Sequence, residues 1–298
     1  MPELPEVETV CRGLAASMVG RRLASVAARR PDLRLPLPRD FAARLEGRDV
    51  VSVERWAKYI LIHLDDGMTL LVHLGMTGRF TIFPPAGRAR NLGEFYYEPA
   101  AADGAPGLHD HVLMTLDDGT RIVFTDPRRF GVMDLVPSAD LKEHRLLRGL
   151  GVEPLSRQFT PGFLARILGA RKAPLKSVLM DQRNIAGLGN IYACEALFRA
   201  GLSPERPART LTRRRGGTDQ RLVRLASAVR QVLRDAIRAG GSTLRDYAAA
   251  DGKRGGYQNR FKVYDRAGSP CLRTGCRGRV RRVVQAGRST FYCPVCQR

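Results

Sequence analysis

The chain has 298 residues, 44% of them apolar, which is long for one domain and enough for two domains with hydrophobic cores. No apolar run approaches the ~20 residues of a membrane span, and the acidic start MPELPEVE argues against a signal peptide, so we expect a cytoplasmic protein with no membrane partner. Its 50 Lys and Arg against 29 Asp and Glu give a net charge of +21, which indicates a polyanionic partner unless the proteome is generally Arg-rich.

The opening segment MPELPEVETV predicts a helix that begins at its second proline. Pro5 suits a first helical turn because its missing N–H would have no intrahelical partner there, and Glu6 and Glu8 lie near the positive end of the helix dipole. Apolar residues follow at helical spacing: Val7, Val10, Cys11, Leu14 and Met18. One face of this helix should pack on a core, which leaves the first three residues held just outside a helix end.

The next part of the chain, to about residue 135, predicts β-structure. Residues 50–75 and 111–126 each consist of two apolar runs joined by Asp-Asp-Gly, a pattern typical of hairpins. Lys58 lies within the first apolar run, where we expect a strand and where a structural lysine would need an acidic partner. A Gly-, Pro- and Ala-rich loop separates the two hairpins.

From about Leu141 the pattern changes to helices. The segments FLARIL, LKSVLM and IYACEALFRAG are short and apolar at helical spacing. A long helix follows in DQRLVRLASAVRQVLRDAIRAGG, capped by Thr218 or Asp219 and ended by a pair of glycines. These segments predict a second, helical domain, followed by a polar, glycine-rich stretch.

The C-terminal segment contains two close pairs of cysteines: Cys271 and Cys276, then Cys293 and Cys296. This spacing fits one tetrahedral zinc ion, whereas disulfides are the weaker alternative in a cytoplasmic protein. The residues between the pairs predict a short hairpin that turns at Ala286-Gly287. Cys11 and Cys194 lie on apolar helix faces and are expected to be packing residues.

The same segment is strongly basic. From residue 253 to residue 298 it contains twelve Lys or Arg and one acidic residue, Asp265. Arg288 lies near the predicted hairpin tip, where it is well placed to contact a phosphate, although it could be one surface arginine among many. Such a concentration of charge in one segment favours a polyanionic partner, because a generally Arg-rich proteome would spread the charge evenly along the chain.

Six motifs occur in one order along the chain: MPELPEVETV, HLGMTGRF, TDPRRFG, MDQRNIAGLGNIYACEALF, GGSTLRDY and GRSTFYCPVCQ. With them the chain resembles the bacterial formamidopyrimidine-DNA glycosylases from residue 2 to residue 298. The resemblance implies an α+β fold in three parts. These are an N-terminal β-sandwich flanked by helices at 1–136, a helix-two-turn-helix domain at 137–250, and a lesion-loop end with a C-terminal zinc-finger hairpin at 251–298.

The resemblance also implies a function. A protein of this family would be a cytoplasmic, nucleoid-associated monomer that removes oxidised purines from double-stranded DNA and cleaves the resulting abasic site by β,δ-elimination, with one structural Zn²⁺. The chain departs from the family pattern at two places. Four residues rather than two separate Cys271 from Cys276, and the loop from Tyr96 to Leu108 is longer than the family pattern predicts.

The resemblance implies chemistry at four residues, Pro2, Glu3, Lys58 and Arg288, with Glu6 in support. Removal of Met1 would expose the secondary amine of Pro2, which can attack C1′ of a damaged nucleotide as lysine amines attack carbonyl carbons. Glu3 would donate or relay a proton, serve as a helix cap, or do both, and Glu6 would support the site or only the first helical turn. Two basic residues complete the set: Lys58 as acid-base in β-elimination and as a phosphate contact, and Arg288 on a phosphate.

Other residues would open and hold the DNA. Met76, Arg128 and Phe130 would fill the space left by an extruded base, although composition alone would place Met76 and Phe130 in a core. Asn190, at a helix start after Gly-Leu-Gly, would bind a phosphate. Further contacts to the DNA backbone would come from His73, His109, Arg171 and Lys172. Arg245 and Tyr247 would belong to a loop that closes over the extruded base.

Two other interpretations remain open. An endonuclease VIII-type enzyme for oxidised pyrimidines shares this superfamily, but MPELPE and the intact DPRRFG argue against it. A zinc-finger DNA-binding protein without catalysis would not need Pro2, Glu3 and Lys58.

Overall fold

The computed structural model describes residues 1–86, 90–92, 107–212, 219–242 and 255–298. These residues form two compact units, one of Met1–Arg148 with Ile237–Gln258 and one of Gly149–Ala236 with Asn259–Arg298. No helix within the described ranges is long and apolar enough to cross a membrane. The sequence predicted three consecutive modules, with boundaries after residues 136 and 250, whereas each unit here combines two separate segments of the chain. The predicted boundaries stay a prediction.

The first unit contains two antiparallel sheets. One has the strand order β1-β7-β8-β5-β6 and the other β2-β3-β4-β9. The strands are β1 (Leu23–Ala28), β2 (Val50–Trp56), β3 (Tyr59–Leu64), β4 (Met68–His73), β5 (Arg79–Phe83), β6 (Arg90–Leu92), β7 (Asp110–Leu116), β8 (Arg121–Thr125) and β9 (Val132–Pro137). Apolar side chains from both sheets form one buried core, which confirms the predicted sandwich.

Two helices flank these sheets, α1 (Leu4–Met18) and the short α2 (Phe41–Leu45). The predicted apolar face of α1 is buried in the sandwich core, so the helical spacing was interpreted correctly. Pro5 lies in the first turn of α1, and Glu3 occupies its N-cap position. The N-terminal residues are therefore part of a packed element.

Both Asp-Asp-Gly segments form the predicted turns, between β3 and β4 and between β7 and β8. Gly67 and Gly119 end these turns with φ of 77° and 83°, values that favour glycine. The first apolar run is not one strand, however. It folds into β2 and β3, whose hairpin turns at Ala57 and Lys58, with Ala57 at φ 55°. The prediction that Lys58 lies within a strand is wrong, because the chain turns at this residue. The sequence gives no sign of the turn, since neither Ala57 nor Lys58 is a Gly or Asn.

The second unit contains the predicted helices. They are α3 (Pro161–Leu168), α4 (Leu175–Met180), α5 (Asn190–Ala200) and α6 (Gln220–Arg238), the last of which extends two residues into the first unit. Thr160 caps α3 by accepting the Phe163 N–H at 3.0 Å. Of the two proposed caps of α6, Thr218 lies outside the described residues and Asp219 immediately precedes the helix. Gly240 and Gly241 follow its end with positive φ, as predicted.

The zinc-finger segment packs on α5. Its strands β10 (Arg281–Gln285) and β11 (Arg288–Tyr292) form an antiparallel hairpin. Its small core combines the α5 residues Cys194 and Phe198 with residues of the finger: Val263, Cys271, Val280, Phe291 and Cys293. Because Gln285 pairs with Arg288, the turn consists of Ala286 and Gly287, with φ of 48° and 71°. Two successive positive φ values are typical of a type I′ turn.

We expect the substitution Ala286→Asn to stabilise the finger hairpin, because Asn adopts positive φ at a lower cost than Ala. The free energy of unfolding should rise by roughly 0.5–1 kcal/mol, seen as a higher thermal midpoint of the zinc-loaded chain and slower zinc loss to a chelator. Ala286→Val is the control, since a β-branched residue at positive φ should lower the midpoint. A lower midpoint for the Asn variant than for the natural chain would contradict the assigned turn.

Candidate active site and zinc centre

The amino terminus is held by two buried carboxylates. Glu6 accepts the Glu3 backbone N–H at 2.9 Å, and the Glu3 side chain accepts the Glu6 N–H in return, which is a capping box with Glu at both positions. The other Glu6 oxygen accepts the Ser242 backbone N–H at 2.8 Å and its hydroxyl at 3.0 Å. Pro2 therefore stands at a defined position one residue before the cap. Glu3 is the helix cap, and its role in proton transfer stays a prediction.

Lys58 is 94% buried in the β2–β3 turn, an unusual environment for a lysine. Arg55 fixes this turn, because its guanidinium donates to the Ala57 carbonyl at 3.1 Å and to Glu8 on α1 at 2.9 Å. The turn that carries Lys58 is thus attached to the helix that Pro2 precedes. Sequence reasoning missed Arg55, whose partner lies 47 positions away with no local pattern to indicate it.

His73 ends β4 and packs against Tyr59, with ring centroids 4.9 Å apart and the ring planes tilted by 53°. Burial, together with the positive charges of Lys58 and Arg34, lowers the pKa of His73 to about 4. The ring is therefore neutral at neutral pH. Its Nδ1 accepts the Gly75 N–H at 3.0 Å, so the proton resides on Nε2 and His73 offers one directed hydrogen-bond donor.

Met76 and Phe130 lie on loops and not in the core. They are 38% and 39% exposed, in agreement with their glycine-flanked sequences. The Arg128 guanidinium lies over the Phe130 ring, 4.5 Å from its centroid. The two loops meet backbone to backbone: a Cβ on Gly75 would lie 2.4 Å from the Phe130 carbonyl carbon. The predicted void-filling side chains thus project from two touching loops.

The remaining predicted DNA contacts are spread over both units. His109 is half-buried, and its carbonyl accepts the Asp126 N–H at 3.0 Å. In the second unit, Arg171 and Lys172 are exposed in the loop between α3 and α4. Arg245 and Tyr247 lie outside the described residues.

Asn190 and Arg288 belong to the second unit. Asn190 is the first residue of α5, and its side-chain amide donates to the Ser289 carbonyl at 3.0 Å and the Tyr264 hydroxyl at 3.4 Å. Arg288 begins β11 and is exposed next to the hairpin turn. The Asn190 side chain therefore supports the strand that presents Arg288.

The four predicted cysteine ligands converge. Their sulfur atoms all lie within 4.8 Å of one another, and the Cys271–Cys296 and Cys276–Cys293 sulfur pairs are each 3.7 Å apart. Four sulfurs around zinc at the usual ~2.3 Å would form a tetrahedron with edges of ~3.8 Å. The donor set and its dimensions thus fit one structural zinc ion.

The long first knuckle has an ordered structure. The Cys276 N–H donates to the Arg273 carbonyl at 2.9 Å, and Gly275 closes the turn with φ 75°. The Arg273 guanidinium donates to the Phe198 carbonyl in the last turn of α5 and lies over the Phe198 ring. Arg273, which lies within the four-residue spacer, therefore attaches this knuckle to α5.

Comparisons with known proteins agree with this arrangement. Residues 1–133 match the formamidopyrimidine-DNA glycosylase N-terminal domain, residues 150–248 match the H2TH domain of the same enzymes, and residues 268–298 match a zinc finger found in FPG and IleRS. A two-sheet sandwich, a helical domain and a four-cysteine finger thus define a zinc-containing protein of the H2TH class. The chain belongs to the formamidopyrimidine-DNA glycosylase family.

Individual relatives cover the whole chain. The formamidopyrimidine-DNA glycosylase of Methylobacterium sp. (strain 4-46) is 54% identical over 100% of this chain and 99% of that protein. The crystal structure of the MutM (Fpg) protein from Thermus thermophilus has a TM-score of 0.80 and 41% identity, over 99% of this chain and 98% of that chain. The Lactococcus lactis Fpg in complex with an abasic site containing DNA has a TM-score of 0.81 and 28% identity over 100% of both chains.

We expect His73 to titrate near pH 4 and to carry its proton on Nε2 at neutral pH. Since this pKa lies below the unfolded value of about 6.5, the unfolded chain binds the proton first. The contribution of His73 to stability is complete above about pH 6.5 and is lost as the pH falls toward 4. Nitrogen-15 NMR of the imidazole would measure both properties, with His109, which is half-buried, as an internal comparison. A His73 pKa near 6.5 would contradict the assignment.

Proposed function

We propose that the chain is a bifunctional DNA glycosylase and AP lyase that removes oxidised purines, such as formamidopyrimidines and 8-oxoguanine, from double-stranded DNA. The observation that carries this proposal is the defined position of Pro2, one residue before a buried capping box, in a member of this family. Relatives support the substrate class: a mutant of the Lactococcus lactis Fpg has been solved with Fapy-dG containing DNA, and the Fpg itself with abasic-site DNA.

In the proposed reaction, Met1 is removed and the amine of Pro2 attacks C1′ of the damaged nucleotide. The bond from the Pro2 nitrogen to C1′ forms as the glycosidic bond breaks. The electron pair of the glycosidic bond leaves with the base, which is protonated as it departs. Ring opening then transfers a proton to O4′ and leaves an iminium between Pro2 and C1′. An α-amino group suits this role because it titrates near ~8, whereas a lysine must be strongly desolvated to lose its proton. The adjacent N-terminus of α1 disfavours the protonated amine further.

The other residues of this unit take roles that fit their geometry. Glu3 is the proton donor or relay beside Pro2, while Glu6 acts through Glu3 and Ser242, whose positions it holds. Lys58 serves as acid and base while a C2′ proton and the 3′-phosphate, then the 5′-phosphate, are eliminated. Its burial in a turn attached to α1 gives Lys58 a defined position relative to that helix.

DNA binding draws on both units. Met76, Arg128 and Phe130 replace the extruded base, while Arg245 and Tyr247 belong to the closing loop. Phosphates are contacted by His73 through its Nε2–H, and by His109, Arg171, Lys172, Asn190 and Arg288. Because both amide hydrogens of Asn190 already bond to the finger, we assign its phosphate contact to the α5 backbone N–H groups at that position.

A zinc ion would have a structural role here, since four thiolates would complete its coordination and leave no open position. It would stabilise the hairpin that presents Arg288. A DNA substrate and a site of reduced thiolates suit a cytoplasmic, nucleoid-associated enzyme, which we expect to act as a monomer.

One observation keeps a broader substrate range as a second candidate. The Lactococcus lactis Fpg has also been solved with an oxidised pyrimidine containing DNA. Release of bases from irradiated DNA would distinguish the two ranges. If oxidised purines dominate the products, the first assignment holds; if pyrimidine products dominate, the endonuclease VIII-type specificity is the correct one.

We expect borohydride to trap a covalent adduct between the chain and damaged duplex DNA, in the peptide that contains Pro2. A cleavable N-terminal extension provides the matched control. The extended chain should give only background adduct, and cleavage that restores the Pro2 amine should recover it fully. Because Pro2→Gly keeps a terminal amine, an adduct from that variant is compatible with the mechanism. An adduct mapped to a lysine would contradict it, and the absence of any adduct would favour a non-catalytic DNA-binding protein.

We expect Arg288→Ala to weaken binding to damaged and undamaged duplexes alike, because a phosphate contact carries no sequence information. The slope of log K against log salt should become shallower by about one unit, with the order of lesion preference unchanged. Arg279→Ala is the matched control: it removes the same charge from the finger, but this guanidinium donates to the Gly268 carbonyl at 2.8 Å. It should change the slope less. A changed lesion preference at constant slope would show that Arg288 reads the damaged site.

A further inference from the structure

A buried carboxylate, Asp126, bonds to both of the loops that carry the void-filling side chains. It follows β8 and is fully buried. Its Oδ1 accepts the hydroxyl of Thr77, which is adjacent to Met76, and its Oδ2 accepts the backbone N–H of Gly131 at 2.7 Å, which is adjacent to Phe130. One side chain therefore joins the two loops through hydrogen bonds directly beside the residues that enter the DNA.

Neighbouring bonds extend this connection through the whole turn of residues 126–131. The Thr77 hydroxyl oxygen accepts the Arg128 backbone N–H at 3.3 Å, so it bridges Asp126 and Arg128. The Asp126 carbonyl accepts the Arg129 N–H at 3.1 Å and His111 Nε2–H at 2.9 Å. Arg129 has φ 56°, a left-handed conformation that a non-glycine residue adopts at a cost. The bonds around Asp126 offset that cost.

Close backbone contact leaves the loops little freedom to separate or reorient. A Cβ on Gly131 would lie 2.9 Å from the Asp126 carboxylate, and one on Gly75 would lie 2.4 Å from the backbone of Phe130. Buried carboxylates are costly unless their hydrogen bonds are well formed. The bonds of Asp126 go to the two loops, which indicates that its function concerns their relative position.

We propose that Asp126 is a positioning residue for base extrusion, which holds the Met76 loop and the Arg128–Phe130 loop as one rigid wedge. This inference rests on the proposed function. Opening a stacked duplex costs a few kcal/mol, which the inserted side chains must recover together. Side chains on a rigid wedge enter the gap without first losing conformational entropy, whereas separated loops would lose that entropy during insertion. Asp126 contacts no reacting atom in this proposal, so the chemistry at Pro2 does not require it.

The test compares two substrates of one enzyme. A damaged base in duplex DNA requires extrusion, whereas an abasic site in a single-stranded oligonucleotide has no stacked base to remove. Asp126→Asn should reduce the single-turnover rate of duplex excision by about tenfold or more, because an amide NH₂ replaces one acceptor. It should leave single-stranded abasic cleavage within about twofold. A 2-aminopurine beside the lesion should show slower opening by a similar factor.

Three further variants separate positioning from general destabilisation. Thr77→Val removes the hydroxyl link at constant shape and should reproduce the selective loss, while Thr77→Ser should retain the natural rate. Asp110→Asn is the matched control, because Asp110 is a buried carboxylate of the same unit that bonds to the Thr125 hydroxyl and the Gly107 N–H and to neither loop. It should leave the ratio of the two activities unchanged.

Equal loss on both substrates in Asp126→Asn and Thr77→Val would overturn the positioning role, and so would full duplex activity in both. Failure of the proposed function has a different signature. In that case the natural chain itself would cleave neither substrate and form no borohydride adduct, which would overturn both the function and this inference.

Discussion

The geometry of the first unit depends on burying the Glu6 carboxylate at the start of α1. A buried carboxylate is stable only if its oxygens are well bonded, and those of Glu6 accept the Glu3 backbone N–H and the backbone N–H and hydroxyl of Ser242. Because Pro2 directly precedes Glu3, the same bonds determine where the terminal amine lies. Ser242 belongs to the GGSTLRDY motif, so the beginning of the proposed closing loop is attached to the same group.

Helix α1 also determines the position of Lys58. The ion pair between Glu8 and Arg55 is largely shielded from water and attaches the β2–β3 turn to the helix. Burial, together with the positive charges of Lys58 and Arg34, lowers the pKa of His73 and keeps its ring neutral. The site thus places a neutral imidazole with a directed N–H donor beside two basic side chains.

The sequence predicted most of the elements, because their signals are local. The apolar spacing of α1, the two Asp-Asp-Gly turns and the four cysteines each involve residues close along the chain. The turn at Lys58 was missed because Ala57 adopts positive φ without being a typical turn residue. Asp126 could not be recognised either, since its partner Thr77 lies 49 positions away. Carboxylates whose role is to join distant loops leave no periodic pattern, and only the folded chain brings them together.

The finger holds α5 at both of its ends. Asn190 in the first turn bonds to Ser289, Arg273 reaches the Phe198 carbonyl in the last turn, and Glu195 between them accepts backbone N–H groups of the segment leading into the finger. A helix attached in this way opens only when its partner opens. Amide hydrogens of α5 should therefore exchange with solvent at the rate at which the finger opens. Removal of the zinc should accelerate this exchange, although α5 contains none of the zinc ligands.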